Sequence, residues 1–173
     1  MTDKQAKILD AALLLFAEQG FSATSTSKVA KEAGVSEGLI FRHFENKEGL
    51  LAAILLRGSE KIKEMHQRLA LITDPNAVIR QMINMPFNIP VDERPFWKLL
   101  YALKWQADVY DDEMSAPVKK LLIQAFTKLG SEDPNTESEV LMAIIDGLAV
   151  TILLKHSAQH ELIRQSILSK YSL

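Results

Sequence analysis

Apolar side chains recur every three or four residues along the first part of the chain, with charged residues between them. The positions with this spacing are Ile8, Leu9, Ala12, Leu13 and Phe16. They would lie on one side of a helix, because a helical turn takes 3.6 residues. Gly20 follows the last of them and is typical of a helix end. The pattern predicts a first helix over residues 3–19 that braces the segment after it.

The segment that follows contains two short helical patterns joined by a tight turn. Thr24 is predicted to cap the first, and Gly34 to end it, since glycine readily takes a left-handed backbone conformation. Ser36 is predicted to cap the second helix, in which Ile40 and Phe44 lie four residues apart and point inward. Two helices with this spacing form a helix-turn-helix, whose second helix can enter the major groove of DNA.

The remaining chain continues as helical patterns separated by breaks that contain proline or glycine. Asn46 is predicted to cap a long fourth helix that ends before Asp74 and Pro75, because proline cannot continue a helix. Gly58 within it is either a bend point or a packing position. Further helices are predicted over residues 75–85, 96–110, 111–130, 137–156 and 159–169, with turns over residues 86–95 and 131–139. No strand pattern occurs, so we expect an all-α fold of about nine helices.

Composition narrows the class of protein. The chain has 173 residues, no cysteine and a net charge of -2, so neither disulfides nor thiolate metal sites are expected. The longest apolar run, residues 140–154, is too short to span a bilayer, which needs about 18 to 20 residues. No secretory signal is recognisable, and we expect a cytoplasmic protein. The first 47 residues carry six basic and six acidic side chains, which argues against a generic polyanion binder.

Residues around the predicted helix-turn-helix resemble the amino-terminal domain of the TetR family of bacterial transcriptional repressors. The matching positions are Gly20, Phe21, Ala23, Thr24, Ser25, Val29, Ala30, Ala33, Gly34, Val35, Ser36, Gly38, Ile40, Phe41, His43, Phe44, Asn46, Lys47 and Glu48. The resemblance implies a DNA-binding domain over residues 1–47 and a helical effector-binding and dimerisation domain over residues 48–173. It also implies a homodimer that binds palindromic operator DNA. Beyond about the first 55 residues, only the helical character and the run from Asp146 to Ala149 resemble the family.

The motif predicts DNA contacts to phosphates and to base edges, with Gly38 allowing the backbone to approach closely. Phosphates would be held at the beginning of the second and fourth helices, where free backbone N–H groups attract anions. Base edges would be read by the exposed start of the third helix, with Arg42 on guanine, Glu37 on cytosine N4 and Leu39 on a thymine methyl. The full set is Ser25, Ser27, Lys28, Ser36, Glu37, Gly38, Leu39, Arg42, His43 and Lys47. Two positions depart from the family pattern, which commonly has tyrosine at Phe41 and often has lysine at Glu37.

Aromatic and methionine side chains concentrate in the middle of the chain and predict a pocket for a small apolar or aromatic effector. The candidates are Met82, Phe87, Phe96, Trp97, Tyr101, Trp105, Met114 and Phe126. The alternative is that they form solid core. Asp108 or Asp146 would favour a cationic ligand, unless Asp146 instead makes a hydrogen bond within a helix or dimer. Effector binding is expected to act on DNA binding through the long fourth helix.

The last two helices predict a subunit interface. Residues 140–155 are apolar around the whole helix, and a second subunit is the simplest cover for such a surface. The interface candidates are Leu141, Ile144, Ile145, Leu148, Ile152, Leu162 and Ile163. A thick monomeric core is the alternative.

No motif indicates catalysis, a cofactor or a metal site. The histidines are scattered, and His156 and His160 lack a third ligand at motif spacing. The acidic cluster around Asp111 lacks the glycine and the alternation of a calcium loop. We therefore expect a homodimeric, effector-released repressor and not an enzyme. The alternative function is a helical ligand-binding or interaction protein whose DNA-binding motif has degenerated.

Overall fold

The computed structural model describes residues 1–104, 115–154 and 160–173. Within these ranges all regular secondary structure is helical, which confirms the all-α prediction. The helices are α1 (Asp3–Gln19), α2 (Thr26–Ala33), α3 (Glu37–Phe44), α4 (Lys47–Ala70), α5 (Pro75–Asn84), α6 (Arg94–Lys104), α7 (Ala116–Lys128), α8 (Pro134–Leu154) and α9 (His160–Lys170). Two 3-10 turns, Met85–Asn88 and Val91–Glu93, occupy most of the proline-rich segment that was predicted as a loop or broken turn.

The chain forms two compact units. The N-terminal unit consists of Met1–Ile62 and Asp92–Gln106, and the C-terminal unit consists of Lys63–Val91 and Ala107–Leu173. Helix α4 contributes residues to both units. The functional division into residues 1–47 and 48–173 remains a prediction, because compactness alone does not say which residues bind DNA or effector.

The core of the N-terminal unit is formed by α1, α2, α3, the first part of α4 and, from later in the chain, α6. Its fully buried side chains include Ile8, Phe16, Val29, Ile40, Leu50 and Ile54. Helix α6 packs directly against α1. Nearly the whole circumference of α6 is buried or partly buried.

Gly58 in α4 is a packing position. A β-carbon placed there would lie 2.0 Å from the ring of Phe96 on α6, far inside van der Waals contact. The ring of Phe96 therefore lies directly against the α4 backbone, and this closeness decides between the two explanations that the sequence left open.

Local signals set the ends of the first three helices. Helix α1 begins with a capping box between Thr2 and Gln5 and ends at Gly20, as predicted. Gly34 ends α2 in the left-handed conformation, with φ of 66°. The prediction of Thr24 as the cap of α2 is wrong, because Ser25 occupies that position. Thr24 is buried, and its hydroxyl instead donates to the carbonyl oxygen of Gly20 at 2.9 Å.

The core of the C-terminal unit brings together α5, α7, α8 and the end of α4. Its buried residues are Leu69, Val78, Ile79, Met82, Ile83, Val118, Leu122, Ala125, Phe126, Leu141 and Ile145. Helix α8 begins at Pro134, three residues before its predicted start. The carboxylate of Asp133 accepts from the backbone N–H of Thr136 at 3.1 Å, and proline suits the first turn of a helix. The predicted polar turn is therefore shorter than expected.

Helix α9 has no fully buried residue. Ile167 and Leu168 of α9 pack against the core of the C-terminal unit. The guanidinium of Arg164 donates to the side-chain oxygen of Asn84 on α5 at 3.0 Å and, within α9, to the carboxylate of Glu161 at 2.6 Å. Tyr171 follows the helix and packs against the core, and its ring lies 5.9 Å from that of Phe126. Burial and the neighbouring Glu137 carboxylate raise the pKa of Tyr171 to about 12.

None of the helices in the described ranges combines the length and the apolar composition that crossing a membrane requires.

Candidate nucleic-acid interface

Helix α3 has one anchored side and one open side. Ile40 is fully buried, with 0% of its surface exposed, which fixes the rotation of the helix on the N-terminal unit. Gly38, Phe41 and Arg42 are exposed, and Leu39 is partly exposed. A β-carbon added at Gly38 would meet no atom of the chain within 4 Å. The outer side of α3 is therefore free to approach a large partner closely.

The beginning of α2 offers hydroxyl and backbone donors. The Ser25 hydroxyl accepts from the backbone N–H of Lys28 at 3.2 Å, which is the N-cap interaction. Ser27 is exposed on the first turn. Ser36 stands at the cap position of α3 and is exposed, but its side chain makes no cap hydrogen bond. Its hydroxyl is thus not used by the helix that it precedes.

A shallow surface depression, here called the hydroxyl hollow, lies beside the beginning of α2. It is lined by Ser22, Ala23, Thr24, Ser25, Thr26, Phe41 and Lys47. Three of its lining residues are hydroxyl-bearing and at least partly accessible, and the first turn of α2 adds backbone N–H groups. Such a combination suits a phosphate oxygen. The side chain of Phe41, 47% exposed, contributes an aromatic ring without a donor.

Lys47 is held by its own unit. Its ammonium donates to the carbonyl oxygens of Phe21 at 3.0 Å and Ser22 at 3.3 Å. It also lies 4.5 Å from the centroid of the Phe21 ring, within cation–π range. Because an ammonium group has three N–H donors, these two bonds leave one for a phosphate. Lys47 therefore orders the turn between α1 and α2, and its contact with a phosphate remains a prediction.

Three other predicted DNA contacts also have partners within the unit. The Thr26 hydroxyl donates to Glu37 Oε1 at 2.6 Å. His43 Nδ1 lies 3.4 Å from Gln5 Nε2, and Lys28 donates to the side-chain oxygen of Gln19. In the described part of the chain, Arg42 has neither an ion pair nor a hydrogen bond from its guanidinium. Arg42 is thus the most available cation on the α3 surface.

Sequence reasoning did not single out Thr26, Gln5 or Ser22 as site residues. Thr26 lies at the first position of α2, eleven residues from its partner Glu37. Gln5 lies thirty-eight residues from His43. Helix periodicity reports only contacts within a turn or two, so it contains no signal for these pairs.

Residues 8–54 match the sequence profile of bacterial regulatory proteins of the tetR family. The helix-turn-helix segment of the chain is therefore similar to that of the tetR family.

Relatives of known sequence agree with this assignment. The HTH-type transcriptional regulator YvkB of Bacillus subtilis is 46% identical over 59 residues, which cover 34% of this chain and 31% of the relative. The HTH-type transcriptional regulator BetI of Burkholderia lata is 25% identical over 155 residues, which cover 84% of this chain and 79% of the relative. The chain spans about a third of the length of the first curated relatives that it matches. TetR-family proteins of this kind are regulators and not enzymes, in agreement with the prediction.

Solved structures show the same fold along almost the whole chain. A transcriptional regulator from Saccharomonospora viridis, solved in complex with choline, has a TM-score of 0.80 at 20% identity, covering 99% of this chain and 96% of that one. AibR, solved in complex with isovaleryl coenzyme A and operator DNA, has a TM-score of 0.74 at 18% identity, covering 97% of each chain. Both likenesses support the TetR-type arrangement of an N-terminal helix-turn-helix followed by a helical domain.

The predicted effector-binding residues of this chain fall into two groups. Phe96, Trp97 and Tyr101 are buried on α6 of the N-terminal unit, where the first two rings contact edge to face at 5.6 Å. Met82 and Phe126 share the core of the C-terminal unit, and Phe87 is half-buried in a 3-10 turn. Trp105, Met114 and the candidate charge selector Asp108 lie outside the described residues. Asp146 is partly buried in α8.

The predicted interface residues are also divided. Leu141, Ile145 and Leu148 are buried within the subunit's own core. Ile144, Ile152 and Ile163 are partly exposed, and Leu162 is 67% exposed. Val140, 39% exposed on α8, adds an apolar residue that the sequence prediction omitted. His156 lies outside the described residues, and within these no group of three or more potential metal ligands occurs.

Proposed function

We propose that the chain is a homodimeric transcriptional repressor of the TetR type that binds palindromic operator DNA and is released by a small apolar or aromatic effector. It would act in the cytoplasm. The observation that carries this proposal is the open side of α3, where Arg42 has no competing partner in the described chain and Gly38 leaves room for close approach. Helix α3 would then lie in the major groove.

The proposed DNA contacts follow from the two surfaces described above. Arg42 would donate two hydrogen bonds to guanine O6 and N7, and Leu39 would cover a thymine methyl group. The hydroxyl hollow and the first turn of α2 would hold a backbone phosphate, with the remaining N–H of Lys47 directed to the same oxygen. Ser27, Ser36 and His43 would add polar contacts at the edges of this surface.

One DNA-binding domain alone is expected to bind DNA weakly because of its charge balance. Because the predicted DNA-binding domain has as many acidic as basic side chains, each domain would release few counterions from the DNA. Two such domains bound to one duplex would combine their contacts. A two-fold symmetric dimer places recognition helices about 34–36 Å apart, so its operator would be an inverted repeat with half-sites one helical turn apart.

Dimerisation is proposed through α8 and α9. Val140 and Leu162 are exposed apolar side chains on these two helices, and α9 has no fully buried residue of its own. Contact with the same surface of a second chain would remove this apolar area from water. An arrangement of two helices from each subunit would form a four-helix interface.

An effector is proposed to act through α4, which contributes to both compact units. Buried aromatic side chains are present in each unit and Met82 is buried in the C-terminal unit, and the solved structures with choline and isovaleryl coenzyme A show that proteins of this fold bind small molecules. An effector that binds the DNA-incompetent state more tightly by about 1.4 kcal/mol changes the equilibrium tenfold.

The decisive experiment is a band-shift titration with the DNA upstream of the chain's own gene, repeated at several salt concentrations. We expect sequence-selective, salt-sensitive binding by the wild type. Arg42→Ala should lose at least about fivefold in operator affinity, as expected for a bidentate guanine contact worth about 1–3 kcal/mol. The matched control is Arg80→Ala, which removes an exposed arginine from α5 of the C-terminal unit and should leave affinity unchanged. Equal binding to operator and unrelated DNA would contradict the proposal.

The alternative is a dimeric ligand-binding or interaction protein with a degenerate DNA-binding motif. Two observations favour it: Lys47 directs two of its donors to carbonyl groups of its own unit, and Phe41 offers no hydroxyl to a phosphate. This alternative predicts that the wild type and Arg42→Ala bind DNA equally poorly, while dimerisation and folding are intact.

A further inference from the structure

One hydrogen bond joins the beginnings of the two helices of the motif. Thr26 is the first residue of α2 and Glu37 is the first residue of α3. The Thr26 hydroxyl donates to Glu37 Oε1 at 2.6 Å, and both side chains are partly buried. A hydroxyl-to-carboxylate bond of this length is charge-assisted and stronger than a neutral one.

The bond restrains a side chain that would otherwise move. A glutamate on an open surface samples several rotamers about its rotatable bonds. Here one carboxylate oxygen is held by Thr26, while Oε2 has no hydrogen-bond partner in the described ranges. Because the first turn of α3 is the part that a helix-turn-helix presents to base edges, this second oxygen is an acceptor fixed at the reading position.

The chemistry of a fixed carboxylate selects among the four bases. Guanine and thymine present acceptors in the major groove, which repel a carboxylate. Adenine presents its N6 donor beside its own N7 acceptor, whereas the cytosine ring presents its N4 donor with no acceptor of its own at the major-groove edge. We propose that Thr26 is a positioning residue for Glu37, and that the pair selects cytosine at one position of each half-site. This inference rests on the proposed function, in which α3 lies in the major groove.

The same bond determines what Thr26 itself can do. Thr26 lines the hydroxyl hollow, where a free hydroxyl would be a candidate phosphate donor. Its single O–H proton is already given to Glu37. Thr26 therefore acts on DNA through Glu37, and removing its hydroxyl should change which base is preferred more than it changes overall affinity.

The test is in vitro selection from a pool of palindromic duplexes with randomised half-sites, using the full-length chain. The variants are Thr26→Val, Thr26→Ser and Glu37→Gln. Thr127→Val is the matched control, because it makes the same change on the exposed surface of α7. We expect the wild type and Thr127→Val to prefer cytosine about fivefold at one half-site position, as expected for one base contact of about 1 kcal/mol.

Thr26→Val should reduce this preference to under about twofold without changing the other selected positions, and Thr26→Ser should restore it. Glu37→Gln should abolish the cytosine preference while raising affinity for all sequences, because it removes a negative charge beside the phosphates. Thermal unfolding of each variant, followed by circular dichroism, checks that the helices are intact.

Retention of the cytosine preference in Thr26→Val or in Glu37→Gln would overturn the inference. A uniform loss of affinity in Thr26→Val with unchanged base preference would assign Thr26 a merely structural role and would overturn it equally. If the wild type selected no sequence at all, the proposed function would fail, and this inference with it. The wild-type arm therefore separates the two failures.

Discussion

The outer sides of α3 and α9 differ in what stabilises them. On and beside α3, polar side chains have partners within their own unit, as in the pairs Thr26–Glu37 and Gln5–His43. On α9, Leu162 is 67% exposed and no residue of the helix is fully buried. A polar surface can be ordered by hydrogen bonds before any partner arrives, whereas an exposed apolar surface gains stability only when a partner removes it from water. We therefore expect α3 to be preorganised and α9 to depend on association.

The largest expected effect on this comparison comes from a cavity beneath one of the two surfaces. Ile40 and Leu122 are each fully buried, the first under α3 and the second in the C-terminal core. Replacing either by alanine should cost about 2–5 kcal/mol of unfolding free energy, because the cavity is only partly refilled. Hydrogen exchange should accelerate in α1, α2 and α3 for Ile40→Ala, and in α5, α7 and α8 for Leu122→Ala. Equal acceleration in both units by either variant would contradict independent cores.

The next largest effect is expected at the apolar surface. Leu162→Glu places a charge on α9 at the proposed interface and should raise the dimer dissociation constant at least tenfold, since burying an unpaired charge is costly. Analytical ultracentrifugation measures the change. The control is Leu71→Glu, at an even more exposed leucine just after α4, which should leave the dimer intact. A dimer that survives Leu162→Glu but not Leu71→Glu would move the interface away from α9.

A smaller effect should follow from loosening the polar surface. Lys47→Met retains much of the side-chain length but removes the two hydrogen bonds to Phe21 and Ser22. We expect a loss of about 1 kcal/mol in unfolding free energy, a typical value for a hydrogen bond near the surface. Operator affinity should fall by the same factor for every DNA sequence, and the dependence of this affinity on salt concentration should become shallower. Chemical denaturation and band shifts measure the two quantities, and a change in base preference would argue against this role.

The smallest effect concerns pH and the C-terminal unit. Burial and the Glu137 carboxylate favour the neutral Tyr171 phenol and raise its pKa to about 12, above the ordinary value of 10.0. The resulting stability is present below pH 10 and is lost as the pH rises through the folded-state pKa. The denaturation midpoint of the wild type should therefore fall between about pH 10 and about pH 12, and that of Tyr171→Phe should fall less. Parallel curves for the two proteins would exclude this contribution.

Local sequence signals predicted the helix ends well where one residue type dominates. The bounds of α1 and the stop at Gly34 agree with the structure, because capping and positive φ are decided within a few residues. Thr24 and Ser25 are both suitable caps by residue type. The choice between them depends on Thr24 reaching the carbonyl oxygens of Gly20 and Leu15. The beginning of α8 was misjudged for a related reason, since a run of polar residues describes a turn and a first helical turn equally well.

Contacts between distant segments had no comparable signal. The ring of Phe96 against Gly58, the direct packing of α6 on α1, and the inward bonds of Lys47 all join segments far apart in sequence. Amphipathic spacing indicates which side of a helix is covered but not what covers it. The set of predicted DNA contacts therefore remains a prediction by residue. The structure adds which of these side chains already have a partner and which, like Arg42, do not.

The contact between Phe96 and Gly58 has a mechanical consequence. Most helix pairs touch through flexible side chains, which absorb small displacements by changing rotamer. Here the rigid ring of Phe96 contacts the backbone of Gly58 directly, and tightly packed interiors transmit strain instead of absorbing it. A displacement of α6 at this point should therefore displace the α4 main chain by a similar distance, so the two helices should move together.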